Sequence, residues 1–142
     1  MLVRLPNKLI AEHWEIFKEA YRQSVPATSD VTPERMTRLL EAAMTGEVQC
    51  WLFFTGEECV GAGISRKYAD DISGQEMLLI YAYWMWKAES FQLQTERFEA
   101  LKDFARGVGC GRIGAFLSDK RLCAEYCRLT GSRLTYLATV EV

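Results

Sequence analysis

The residues best placed to do chemistry lie in a polar joint that follows a long apolar run. Residues 77–86 (MLLIYAYWMW) form the run, and Lys87, Glu89, Ser90, Gln92 and Gln94 supply most of the polar groups after it. A strand, a joint and then a helix is a common seat for a phosphate-bearing ligand, because the joint offers unpaired N–H groups and the positive end of the helix dipole. Other reactive residues make weaker patterns. Cys50, Cys59, Cys110, Cys123 and Cys127 are an odd number with no C-x-x-C pair, so they read as small buried hydrophobes in a reducing compartment. Cys123 and Cys127 are four residues apart, but one histidine and no second cysteine pair do not complete a metal site, and none is expected. His13 lies beside an apolar helical stripe with no partner legible from sequence, so it is not assigned a catalytic role. Gly109 to Gly114 spells G-x-G-x-x-G. A dinucleotide fingerprint must follow a strand and open a helix, whereas this one follows a helix and opens a strand, so it reads as a glycine helix stop.

The elements that must position these residues follow from periodicity. In the run 77–86, Met77, Leu79, Tyr81, Tyr83 and Met85 alternate with Leu78, Ile80, Ala82, Trp84 and Trp86. Apolar character on both faces predicts a strand covered on both sides, in the middle of a sheet. Phe91, Phe98, Leu101, Ala105 and Val108 then predict one side of a helix lying back on that sheet. Upstream, residues 2–5 predict a short strand stopped by Pro6. Asn7 is expected to cap a helix with the stripe Leu9, Ile10, Trp14, Phe17, Ala20 and Tyr21. After the polar loop 24–32, Thr32, Pro33 and Glu34 predict the start of a second helix, with Met36, Leu39, Leu40, Ala43 and Met44 buried and Gly46 ending it. Residues 48–54 and 59–68 predict a hairpin around a four-residue connection, 55–58. Gly61 and Gly63 within it indicate a bulge, a close backbone approach or simple packing room. Downstream come a strand over 112–117 and a short helix after Asp119, with the stripe Leu122, Tyr126 and Leu129 and a stop at Gly131. A final alternating strand is expected over 133–142.

The whole is an α/β (α+β) chain of 142 residues, expected to form one domain. Its 49% hydrophobic and 25% charged residues fit a globular protein, and its longest apolar run is too short to span a bilayer. The N-terminus lacks the pattern of a secretory signal, so a cytoplasmic location without membrane association is expected. Seventeen basic and nineteen acidic residues give a net charge of −2 with no basic block among aromatics, which disfavours nucleic-acid binding.

This order of elements resembles the GNAT superfamily, the Gcn5-related N-acetyltransferases, and within it divergent GNAT-like proteins of bacteriophages and prophages. Local matches are Val60-Gly61 after the hairpin turn, residues 100–106 (ALKDFAR) and 109–113 (GCGRI) along the central helix and its exit, and residues 124–131 (AEYCRLTG) before the last strand. The resemblance implies a mixed, mostly antiparallel central sheet flanked by helices. In active members the joint resembles [RQ]-x-x-G-x-[GA], and its backbone N–H groups hold the pyrophosphate of acetyl-CoA. Those positions fall here on Glu89, Ser90, Phe91, Gln92, Leu93 and Gln94, and every diagnostic one departs. The glycines let backbone approach phosphate, whereas Gln92 and Gln94 place side chains in that space. Glu89 puts a negative charge where relatives have a donor, and each pair of like charges about 6 Å apart costs roughly 2–3 kcal/mol at an effective dielectric near 20. No glycine occurs between Gln75 and Arg106, so no shift of register restores the motif.

The expected reading is therefore a GNAT-like domain with a degenerate acyl-CoA site and a binding or accessory role. The alternative is an active acetyl-CoA-dependent N-acyltransferase on an unidentified amine. In that case Met85, Trp86, Lys87, Ser90, Gln92 and Gln94 would hold the coenzyme, with Tyr126 protonating its thiolate. Glu76 would serve as base, beside Tyr81 and Tyr83. The long C-terminal strand leaves an apolar edge, so a homo-oligomer or another protein is expected to cover it.

Overall fold

The computed structural model of the protein describes residues 1–24, 31–117 and 120–133. Among the described residues, five strands form one sheet in sequence order: β1 (Leu2–Arg4), β2 (Val48–Thr55), β3 (Glu58–Ala69), β4 (Glu76–Met85) and β5 (Arg112–Ala115). β1 to β4 pair antiparallel in turn, and β5 runs parallel to β4. A parallel pair needs a crossover, and α4 (Phe91–Gly107) supplies it. This is the mixed, mostly antiparallel GNAT-like sheet that the resemblance implies.

The helices α1 (Asn7–Ile10), α2 (Trp14–Ser24) and α3 (Pro33–Thr45) cover one face. There Ile10, Phe17, Ala20, Tyr21, Met36 and Ala43 close over Cys50, Leu52, Ala62 and Ile64. On the other face Leu101 and Ala105 of α4 pack with Trp51, Phe53, Val60, Leu78 and Ile80. Period-two alternation in β2 separates the two cores, with Cys50 and Leu52 facing one and Trp51 and Phe53 the other.

Several expected boundary signals act as read. The Thr32 hydroxyl accepts from the Arg35 N–H at 3.3 Å, and Gly46 ends α3 with φ +85°. Gly109, at φ +81°, lies between α4 and β5, so the G-x-G-x-x-G match is a helix exit leading into a strand. The short helix α5 (Lys120–Thr130) stops at Gly131, whose N–H donates to the Cys127 carbonyl at 2.8 Å.

Other expectations change. Asn7 is the first residue of α1 and Pro6 holds the cap position without a side-chain bond, while a 3-10 turn at Ala11–His13 separates α1 from α2. Met44 is 52% exposed because α3 turns only Met36 and Ala43 fully onto the sheet. Phe91 is 53% exposed, since it opens α4 at its solvent end. Thr55 pairs with Glu58, which shortens the hairpin connection to Gly56 and Glu57. The Asp119 start signal and the 133–142 strand, apart from Arg133, lie outside the described residues, as does the Leu122 side chain.

The consequential difference lies in β4. Ile64 pairs with Ala82 but Ser65 pairs with Ile80, so Tyr81 is an extra residue in the ladder. A bulge exchanges the faces beyond it. Leu78 and Ile80 belong to the α4 core, whereas Ala82 joins the α2 core with Tyr81 and Trp84 packed against it. Strict alternation across residues 77–86 therefore fails at Tyr81, and Tyr83 and Met85 are delivered to the α4 side.

Candidate functional site

β4 and β5 part company where the joint begins to matter. Their last residue pair is Ile80 with Ala115, and the Phe116 N–H reaches the Ile80 carbonyl at 3.4 Å. β4 continues to Met85, while the chain leaving β5 turns toward α5. The wedge between them, closed by α4 and α5, holds a cavity of about 110 Å³ whose walls include Ile80, Tyr83, Phe98, Leu101, Phe116 and Leu129. Because the bulge turns Tyr83 to this side, the cavity owes one wall to a register shift.

Beside the cavity lies the buried pair that sequence reasoning missed. Arg97 grips the Glu89 carboxylate with both terminal nitrogens, and the two side chains are 3% and 1% exposed. The Thr55 hydroxyl donates to the same carboxylate at 2.8 Å, and the Arg97 guanidinium lies 4.6 Å from the centre of the Phe53 ring. Room for that ring comes from Gly61 and Gly63, where an added Cβ would stand 2.7 and 2.8 Å from Phe53 atoms. Burial alone would raise the Glu89 pKa, but the bonds from Arg97 and Thr55 outweigh it and hold the carboxyl below its ordinary value. Burial likewise opposes the charge on Arg97, and Glu89 and Tyr83 overcome it. Glu89 therefore does not confront a phosphate. It is turned inward and neutralised, and the like-charge cost expected from its position does not arise. A signal for the pair was present, since Arg97 falls in the Leu93, Leu101, Ala105 stripe at four-residue spacing, where a charge needs a buried partner.

The rest of the joint is bonded to its own chain. Trp86 donates its amide N–H to the Val60 carbonyl and its indole N–H to the Cys59 carbonyl, both at 3.1 Å. Lys87 pairs with Glu58, and Met85 receives a contact from Arg97 at 3.7 Å. Ser90 is the cap of α4, its hydroxyl accepting from the Leu93 N–H at 3.3 Å, which removes one of the free donors at that helix end. Gln94 donates to the Glu89 carbonyl at 3.3 Å, and Gln92 to Glu96 at 3.0 Å. On the exposed run of β4, Ser24 at the end of α2 accepts from the Tyr83 N–H at 2.9 Å, and its single hydroxyl proton is shared between the Ala20 carbonyl at 2.6 Å and the Tyr83 carbonyl at 3.0 Å.

Tyr126 of α5 lines the cavity, and its hydroxyl is buried without a hydrogen-bond partner. Burial, with smaller contributions from Cys127 and Tyr83, pushes it up to about 12. An ordinary thiol titrates near 8.5, so proton transfer from this phenol to a thiolate is strongly uphill, and Tyr126 is a hydrogen-bond donor at neutral pH. Glu76 is elsewhere. It begins β4, pairs with Lys67 at 2.8 Å, and stands seven residues, roughly 23 Å of strand, from Tyr83. Tyr81 stacks on Tyr21 on the opposite face, with ring centres 6.0 Å apart. The structure thus brings Tyr126, Tyr83, Gln94 and Arg97 together and leaves Glu76 and Tyr81 apart from them. His13 is exposed, and the described residues contain no group of three or more His, Cys, Asp or Glu side chains able to hold a metal ion. No described helix is long and apolar enough to cross a membrane.

No protein-family model and no curated protein matches the sequence. Solved structures do match the fold. A probable acetyltransferase shares it with TM-score 0.72 and 15% identity over 100% of this chain and 97% of that one. A predicted acetyltransferase with acetyl-CoA from Clostridium acetobutylicum gives TM-score 0.71 and 10% identity over 99% and 95%. An aminoglycoside acetyltransferase from an uncultured soil metagenomic sample, in complex with trehalose, gives 0.68 and 14% over 100% and 95%. At these identities the likeness shows the acetyltransferase fold and leaves activity to the site.

Proposed function

We infer that this chain uses an acetyltransferase fold as a binding or accessory domain whose acyl-CoA site has degenerated. The observation that carries this reading is the self-satisfied joint. Glu89, Ser90 and Gln94 direct their polar groups at Arg97, Leu93 and the Glu89 backbone. Gln92 and Gln94 also stand where the resembled motif has glycine. A pyrophosphate would have to displace these bonds or pass bulky side chains, and it would gain only the donors that Ser90 leaves free. Ser24 supports the same reading, because its hydroxyl already occupies the Tyr83 N–H in the wedge. The bacteriophage or prophage setting belongs to this proposal and rests on the motif resemblance alone. So does assembly through the C-terminal strand, most of which lies outside the described residues.

A thermal-unfolding series with acetyl-CoA tests the reading. At 100 times a dissociation constant, a ligand that binds only the folded form stabilises it by about 2.7 kcal/mol. No shift in midpoint is expected at millimolar acetyl-CoA, and a clear upward shift would reject the degenerate site.

One observation favours the alternative, an N-acyltransferase. Tyr126 stands in the wall of the wedge between β4 and β5, near where a thioester would lie if coenzyme entered there. In that version Tyr126 would hydrogen-bond the leaving sulfur, with water carrying the amine proton. Acetyl transfer to a panel of amines that disappears in Tyr126→Phe would support it.

A further inference from the structure

A cleft at the other end of β4 carries a separate set of polar groups. It opens where β1 to β4 meet the C-terminal turn of α4, holds about 510 Å³, and is bordered by Arg4, Glu47, Gln49, Lys67, Glu76 and Phe104. That volume lies in the range of small-molecule sites. One wall ends a buried relay. The Trp51 indole N–H donates to the Ser65 hydroxyl at 2.8 Å, and that hydroxyl donates to Gln49 Oε1 at 3.0 Å. Gln49 is 8% exposed, and the relay fixes which end of its amide accepts and which donates. The Gly46 carbonyl takes one Nε2 hydrogen at 3.3 Å, and the other has no acceptor among the described residues.

The charges around the cleft are not equivalent. Lys67 pairs with Glu76 at 2.8 Å and donates to the Val108 carbonyl at 3.1 Å, so both members of that pair are engaged. Arg66 borders the cleft, but it stands opposite Val48 in the ladder, and Val48 packs in the α1–α3 core, which turns the Arg66 side chain to the other face. Arg4 and Glu47 remain, a cation and an anion without an ion-pair partner among the described residues. Phe104 steadies Arg4, its ring centre lying 5.5 Å from the guanidinium carbon.

We propose that this cleft binds a free amino acid as its zwitterion, the carboxylate taken by Arg4 and the Gln49 amide and the ammonium by Glu47. A carboxylate accepts from a guanidinium and an amide N–H together, and an ammonium donates to a carboxylate. One unmatched charge of each sign selects a ligand that carries both, since a simple anion leaves Glu47 unmatched and a simple amine leaves Arg4 so. Val108 and Ala69 offer apolar surface to the ligand side chain. Glu76, at the rim, is seven residues from Tyr83 along β4, so the proposal holds whether or not the joint takes coenzyme.

The test is a 15N NMR titration of the full chain that follows the Gln49 side-chain amide. The probes are L-leucine, N-acetyl-L-leucine, which lacks the ammonium, and 3-methylbutylamine, which lacks the carboxylate. Leucine at millimolar concentration is expected to move the Gln49 amide and to bind about fivefold more tightly than either other probe, the worth of one exposed charge contact. Arg4→Gln is expected to weaken leucine about fivefold and leave the amine unchanged, whereas Glu47→Gln weakens leucine and leaves N-acetyl-L-leucine unchanged. Both positions are exposed, and an otherwise native amide spectrum verifies that the variants fold. An unmoved Gln49 amide would overturn the proposal. So would N-acetyl-L-leucine or the amine binding as tightly as leucine, or either variant weakening all three probes alike. Repeating the titration with excess acetyl-CoA keeps the two readings apart. Leucine shifts that persist while acetyl-CoA moves the joint support the cleft and reject the degenerate site, whereas no leucine shift in either condition rejects the cleft alone.

Discussion

Glu89 and Arg97 decide how the joint is to be understood. Their charges cancel in a place that excludes water, so each is needed by the other more than either is needed by the fold. Glu89→Ala strands a buried guanidinium and is expected to cost about 3–5 kcal/mol in chemical denaturation. The double change Glu89→Leu, Arg97→Met removes both charges and is expected to recover most of that loss. A double variant no more stable than the single one would show that the pair does more than neutralise itself. The pH dependence follows from the lowered Glu89 pKa. Its stabilising contribution is fully present above the unfolded carboxyl value, about 4.3, and disappears as pH falls through the lower folded value. Stability measured from pH 6 down into that acid range should therefore fall less steeply in the double variant than in the native chain. This pairing was half legible. Glu89 stands out in the sequence because it breaks a motif, but its partner Arg97 lies eight residues on, inside an apolar helical stripe that reads as core.

At the scale of elements, the hairpin, the α4 crossover and the helix stops follow from local signals that no tertiary contact contradicts. Thr32, Gly46 and Gly131 act through their own backbone neighbourhood, so sequence suffices for them. The bulge at Tyr81 does not announce itself, because β4 is apolar on both faces and a one-residue slip leaves its pattern unchanged. Yet the bulge assigns Tyr83 to the wedge and Tyr81 to the opposite core. Ser24 is invisible for a different reason, since it meets Tyr83 across 59 residues of chain. Ser24→Ala is expected to cost about 1 kcal/mol, because water can replace part of what the hydroxyl supplies at this partly exposed strand. The specific readout is hydrogen exchange, which should accelerate at the Tyr83 amide. Unchanged protection there would mean that Ser24 does not occupy the strand in solution.

For the molecule as a whole, the order of elements was enough to give the mixed sheet and its two cores, because alternating and helical periodicities repeat along most of the chain. The site was less legible, since its meaning depends on which groups face inward. Glu76 and Tyr126 both read as available for proton transfer, but Glu76 opens β4 paired with Lys67, and of the two only Tyr126 lines the wedge cavity. Assembly belongs to this scale too. The apolar alternation of residues 134–142 predicts a covering partner, so light scattering is expected to show a species larger than a monomer when the chain is purified alone or with its partner. A strict monomer at every concentration, with no protein co-purifying, would contradict that. The central claim concerns the coenzyme, and calorimetric titration with acetyl-CoA and with CoA near 150 mM salt tests it most directly, since surface charges are screened there. The self-satisfied joint predicts no binding, or binding much weaker than about 10 μM; a dissociation constant at or below that value, roughly −7 kcal/mol or more favourable, would contradict the account.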